Sequence, residues 1–153
     1  MEFIEFLDRV EIEIIKNVEQ AGYSTEENSD LCLLSDKYVG FLKKREKTIV
    51  ICTDNAKGIE GYTNLKRKDT DAFERTARHI KKAVRHEAVH VAQECNKGKL
   101  LEINQKLTMN PAKLSALKGS TKISGDAEKE RQAYILEDRP KIIEKELKKY
   151  CLS

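Results

Sequence analysis

Apolar residues recur along this chain at two different periods, and the change from one to the other divides it into elements. Phe3, Leu7, Val10, Ile14, Val18 and Ala21 fall three or four apart with acids and lysine between them, which predicts an opening helix stopped by Gly22. The polar stretch Ser24 to Asp30 reads as a loop. From Leu31 the runs become short and rich in β-branched or aromatic residues. Leu31-Cys32-Leu33-Leu34, Tyr38-Val39-Gly40-Phe41-Leu42 and Thr48-Ile49-Val50-Ile51-Cys52 predict strands, the last two joined as a hairpin by the charged link Lys43 to Lys47. Asp54-Asn55-Ala56-Lys57-Gly58 and Gly61 mark an exit into irregular chain.

The helical period returns at Phe73, where Phe73, Ala77, Ile80, Val84, Ala88, Val91 and Cys95 form one apolar stripe. Asp69 or Thr70 can cap this long helix, which runs to about Asn96, with Gly98 as its stop signal. Leu100 to Leu107 reads as a short helix or irregular chain. Asn110-Pro111 through Gly119 has the cap, first-turn proline and terminal glycine of a two-turn helix. A loop over Gly119 to Gly125 is placed to border a cleft. Asp126 or Ser124 then caps a helix over Ala127 to Glu137, and Pro140 opens a closing helix whose face carries Ile143, Leu147 and Cys151. The expected fold class is α+β: one domain over residues 1–153, with a small antiparallel sheet of about three strands packed on helices.

Composition narrows the function classes. The apolar fraction of 39% over 153 residues suits one modest core, and 29 basic against 26 acidic residues do not announce a nucleic-acid binder. The basic clusters Lys43-Lys44-Arg45, Lys66-Arg67-Lys68 and Arg78, Lys81, Lys82, Arg85 are interrupted by acids and carry no interleaved aromatics, so they read as solvated surface. No apolar run reaches membrane-spanning length. Cys32, Cys52, Cys95 and Cys151 are widely spread, and the acidic start Met1-Glu2-Phe3-Ile4-Glu5 lacks the basic region of a secretion signal. Reduced, buried thiols in a cytoplasmic protein are the expectation.

The candidate chemistry lies in the long helix, at His86-Glu87-Ala88-Val89-His90. Two histidines four apart share a helical face about 6 Å apart along the axis, so both imidazoles can reach one metal ion. Zinc suits neutral imidazole, and two nitrogens from one helix leave room for a third protein ligand and a water. Glu87, offset around the helix, is placed to take a proton from that water without binding the metal. The other histidine, His79, stands about 10 Å along the same helix from His86 and cannot share the ion. A carboxylate from a second helix is the best completion. Glu130, Tyr134 and Glu137 share a face of the later helix, and the small Ala133 permits close approach; Glu130 is the first choice and Glu137 the second.

His86-Glu87-Ala88-Val89-His90, with the downstream Glu130-Arg131-Gln132-Ala133-Tyr134, resembles the small gluzincin-type zincin metallopeptidases, in which HExxH on one helix is completed by a glutamate in an ExxA segment on the next. The extension Val91-Ala92-Gln93 is similar to the HExxHVxQ form of some compact zincin domains. The resemblance implies a minimal zincin-like fold, zinc at His86, His90 and Glu130, and hydrolysis of a peptide or protein substrate with Glu87 as general base. Tyr134 is then a candidate hydrogen-bond donor in catalysis, and Glu128 or Glu137 a candidate to orient a histidine. Two rival expectations stand beside this one: a catalytically silent zinc-binding regulatory or interaction module, and a metal-free helical scaffold with surface histidines that assists nucleic acid.

Overall fold

The computed structural model describes residues 1–62, 70–103 and 126–153, and the helix expected near Asn110 and the loop after Gly119 lie outside them. Among the described residues four other helices and a small sheet stand around a central helix. A 3₁₀ turn, Glu2–Phe6, precedes helix α1, Arg9–Gln20. The opening apolar face is therefore divided, because the Glu11 carboxylate accepts the Asp8 backbone N–H at 3.0 Å and starts the helix there. Gly22, at φ 92°, turns the chain away.

The sheet departs from expectation in both membership and direction. Its strands are β1, Ser24–Glu27, β2, Gly40–Lys43, and β3, Thr48–Ile51. Their order is β1-β3-β2, with β1 parallel and β2 antiparallel to β3, so the sheet is mixed. Pairing with the buried β3 makes a strand of Ser24–Glu27 despite its polar sequence, and Glu27 faces a use: it accepts the Phe3 N–H and the Thr53 hydroxyl, both at 2.7 Å. The run expected as a first strand is instead a 3₁₀ turn, Asp30–Leu34, begun by the Ser29 hydroxyl accepting the Leu31 N–H. Leu33 and Leu34 are exposed there, so their hydrophobicity did not mark a buried strand.

Helix α2, Thr53–Glu60, replaces the irregular exit expected at Asp54, and it ends in left-handed Gly61 at φ 63°. Asn55 on α2 reaches the carbonyls of Cys32, Ser35 and Tyr38 at 2.9–3.0 Å, which pins the approach to β2. Helix α3, Asp71–Cys95, begins where the Thr70 hydroxyl accepts the Phe73 N–H. It packs against α1, α2, the sheet, and two later helices, α4, Ala127–Leu136, and α5, Pro140–Cys151. Asp126 caps α4 by accepting the Lys129 N–H. Ala77, Ile80, Val84, Ala88 and Val91 are buried along the expected stripe, and from His86 to Gln93 every residue is buried, so α3 enters the core completely at its motif.

The cysteines correct the expectation of free thiols. Cys32 is bonded to Cys52 and Cys95 to Cys151, across 20 and 56 residues. The first joins the turn before β2 to the entrance of α2, and the second ties the end of α3 to the end of α5. Among the described residues no helix is long and apolar enough to cross a membrane. Restricting the unfolded chain over these spans is worth about 3 and about 4 kcal/mol. Chemical denaturation with and without a thiol reductant should show stability falling by amounts of that order as the thiols are released; an unchanged midpoint with four titratable thiols would refute the assignment.

Candidate metal centre

Helix α3 presents His86 and His90 one turn apart, their ring centroids 5.0 Å from each other, and both are buried. Helix α4 brings Glu130 between them. Its Oε2 lies 3.1 Å from His86 Nε2 and its Oε1 2.9 Å from His90 Nε2. Ala133 is wholly buried at this crossing, where a larger side chain would hold the helices apart. One ligand atom from each of His86, His90 and Glu130 lies within 4.8 Å of the other two.

The outer nitrogens of both rings are held. His86 Nδ1 lies 3.1 Å from Glu137 Oε1, and His90 Nδ1 lies 2.8 Å from Gln93 Oε1. A carboxylate or amide oxygen only accepts, so both Nδ1 atoms carry the proton and both Nε2 atoms turn inward, that of His86 donating to Glu130 Oε2 at 3.1 Å in the metal-free chain. Gln93 is itself fixed, its amide N–H groups donating to the Lys129 carbonyl at 3.2 Å and to Gln132 Oε1 at 2.9 Å. The chemistry of the donor set then fits a metal. His90 Nε2 is buried and close to Glu130 Oε1, yet the geometry makes no hydrogen bond. Two inward imidazole nitrogens and one carboxylate oxygen, one nitrogen lacking a hydrogen-bond partner, are the set that zinc prefers.

Glu87 lies beside this group on α3 and lines a cavity of about 380 Å³ together with His86, His90 and Glu130. The opposite wall is strand β2. A Cβ at Gly40 would stand 3.2 Å from both Cγ and Oε2 of Glu87, so the bare backbone there lets the carboxylate occupy its place. Tyr134 packs its ring on His86, centroids 4.5 Å apart at 61°. Glu137 is buried against His86, whereas Glu128 is exposed. His79 is remote from the group and meets Glu60 on α2 at 3.3 Å. Burial of His86 and His90 contradicts the surface histidines of a helical scaffold.

The sequence does not reveal Gly40, whose position against Glu87 depends on a strand crossing the helix, nor Gln132 as the partner of Gln93, although Gln93 itself stands in the motif's extension. The three-residue step from His90 to Gln93 was the signal available for Gln93.

A family model described as Domain of unknown function (DUF8637) matches residues 3–152. The chain belongs to that family. No curated protein and no solved structure matches it.

Electrostatics at the centre of this DUF8637 chain follow from burial and proximity. Burial alone would pull His86 down, but hydrogen bonds to Glu130 and Glu137 and the charge of Glu87 reverse this and hold the imidazole up at about 10. Burial likewise raises Glu130, yet its two imidazole partners keep the carboxyl well below the usual carboxylate range. For Glu87 burial wins. Reinforced by the charges of Glu130 and Glu137, it outweighs both histidines and pushes the carboxyl up.

In the metal-free protein the sign of the linkage is set by His86. An imidazole held at about 10 when folded and about 6.5 when unfolded gives stability that is complete below pH 6.5 and lost as pH rises to about 10. Denaturation of the chelator-treated chain should therefore show stability falling over that interval, with a shallower fall in His86→Gln. Equal slopes in the two proteins would contradict the pairing.

Proposed function

We propose that this chain is a zinc-dependent metallopeptidase of minimal zincin-like build. The observation that carries the reading is the inward Nε2 of His90, buried and without a hydrogen bond 2.9 Å from the Glu130 carboxylate, with the raised carboxyl of Glu87 next to it in the cavity wall. His86, His90 and Glu130 would hold the zinc, which when bound supplies polarisation of a carbonyl and acidification of a water.

The chain's own residues do the rest. Glu87 accepts the proton of the attacking water at its carboxyl and returns it to the departing amine, a task helped by the burial that pushes its carboxyl above the usual carboxylate range. Glu137 and Gln93 hold the two rings in the tautomer that leaves Nε2 turned inward, where each would be available to a metal. Tyr134 buttresses the His86 ring by its edge contact. Among the described residues strand β2 is one edge of the sheet and borders the cavity, so an extended peptide laid along that edge would pass beside Glu87.

The modest cavity, about 380 Å³, favours one second reading, a catalytically silent zinc-binding module. Two closed cysteine pairs favour an oxidising compartment over the cytoplasm that free thiols would have suggested.

Three substitutions separate these readings. Glu130→Ala should abolish stoichiometric zinc, Glu137→Ala should weaken zinc by roughly 10–100-fold, and Glu87→Gln should keep zinc while removing peptide hydrolysis. Metal analysis and a zinc-competition titration read the first two, and cleavage of a mixed peptide library reads the third. Zinc retained in Glu130→Ala would defeat the ligand assignment; a wild-type protein that binds zinc and cuts nothing would leave the silent module.

A further inference from the structure

The turn between β2 and β3 supplies three more residues to the cavity, Lys44, Arg45 and Glu46. Their neighbours are occupied elsewhere: Lys43 is paired with Glu26 at 3.0 Å, and Lys47 lies 5.9 Å over the Tyr23 ring. The turn is closed by the Lys47 N–H donating to the Lys44 carbonyl at 3.3 Å, with Lys47 at φ 48°. This holds Lys44 and Arg45 in the lining of the cavity. Neither side chain has an ion-pair or hydrogen-bond partner among the described residues.

Lys129 is already balanced, its Nζ 3.8 Å from Asp126 and 3.9 Å from Glu94. The turn itself brings two cations and one anion, Glu46, to the cavity, and the remaining carboxylates of the lining, Glu87 and Glu130, belong to the candidate metal centre. An arginine fork beside a lysine is the pair of side chains that receives a carboxylate through charge-assisted hydrogen bonds.

Distance fixes where that carboxylate must sit. Glu87 packs at Gly40, and Lys44 follows four positions later, about 13 Å of extended chain. We infer that the substrate is a peptide with an acidic side chain roughly three or four residues from the bond to be cut, its carboxylate received by Lys44 and Arg45. The inference rests on the peptidase reading for the location of that bond, while the binding preference stands apart from it.

The test uses zinc-loaded full-length protein carrying Glu87→Gln and fluorescein-labelled peptides, capped at both ends, that differ only in Glu, Gln or Lys at one position. By fluorescence anisotropy the Glu peptide should bind about tenfold more tightly than the Gln peptide, the worth of one charge-assisted hydrogen bond, and the advantage should shrink with added salt. Adding Lys44→Glu and Arg45→Glu should make the Lys peptide the tighter ligand. Lys141→Glu with Lys148→Glu, the same charge change on exposed positions of α5 away from the cavity, should leave the preference for Glu intact. Equal affinities, absence of binding, or a preference that survives the turn reversal or disappears equally in the α5 control would overturn the inference. Incubating the protein with Glu87 intact beside the same peptides separates the two claims. Preference without cleavage defeats the peptidase reading alone, and cleavage without preference defeats this one.

Discussion

Everything in this fold answers to one burden, the enclosure of two imidazoles and three carboxylates in a single packed crossing of helices. His86, Glu87, His90, Glu130 and Glu137 are all buried, and isolated charges in such a place are costly unless paired or bound to a metal. Three carboxylates with two neutral imidazoles leave a strong negative excess, which a dication reduces to one charge. Protons on the rings do the same for the metal-free chain, and the elevated His86 expresses that substitution. A metal bound here would therefore compete with protons for one buried excess of negative charge and would release protons on binding.

The surrounding structure is arranged to keep this crossing from relaxing. Ala133 sets the approach of α4, Gln93 and Gln132 link the motif helix to α4 and to Leu101, and the Cys95–Cys151 bond closes α3 on α5 just beyond the motif. On the other side Asn55 and the Cys32–Cys52 bond fix the approach to β2. Gly40 then lies so close to Glu87 that a Cβ there would stand 3.2 Å from its Cγ and Oε2 and press the carboxylate aside by a few tenths of an ångström. A carboxylate held against a bare strand and imidazoles held by outer hydrogen bonds are two forms of the same preorganisation.

What the sequence revealed depended on how local the cause was. The long helix, its Thr70 cap and its stripe were readable because spacing and capping act over a few residues. The proximity of Glu130 to the histidines was readable from the facing of two helices, one of them carrying a small residue. The Ser24–Glu27 strand was not, because its conformation comes from pairing with β3 rather than from its own polar residues. Leu31 to Leu34 misled for the converse reason, an apolar run that a serine cap turns into an exposed 3₁₀ segment. The cysteine pairs depend on tertiary neighbours 20 and 56 residues away, which spacing alone does not encode.

The central claim is a zinc ion held by two imidazoles and a carboxylate, and X-ray absorption at the zinc edge tests it most directly. The account predicts imidazole nitrogens at about 2.0–2.1 Å and oxygen at about 2.0–2.2 Å, with the imidazole outer-shell signal lost in a His86→Ala, His90→Ala protein. A sulfur shell near 2.3 Å, or an oxygen-only shell without imidazole, would contradict it.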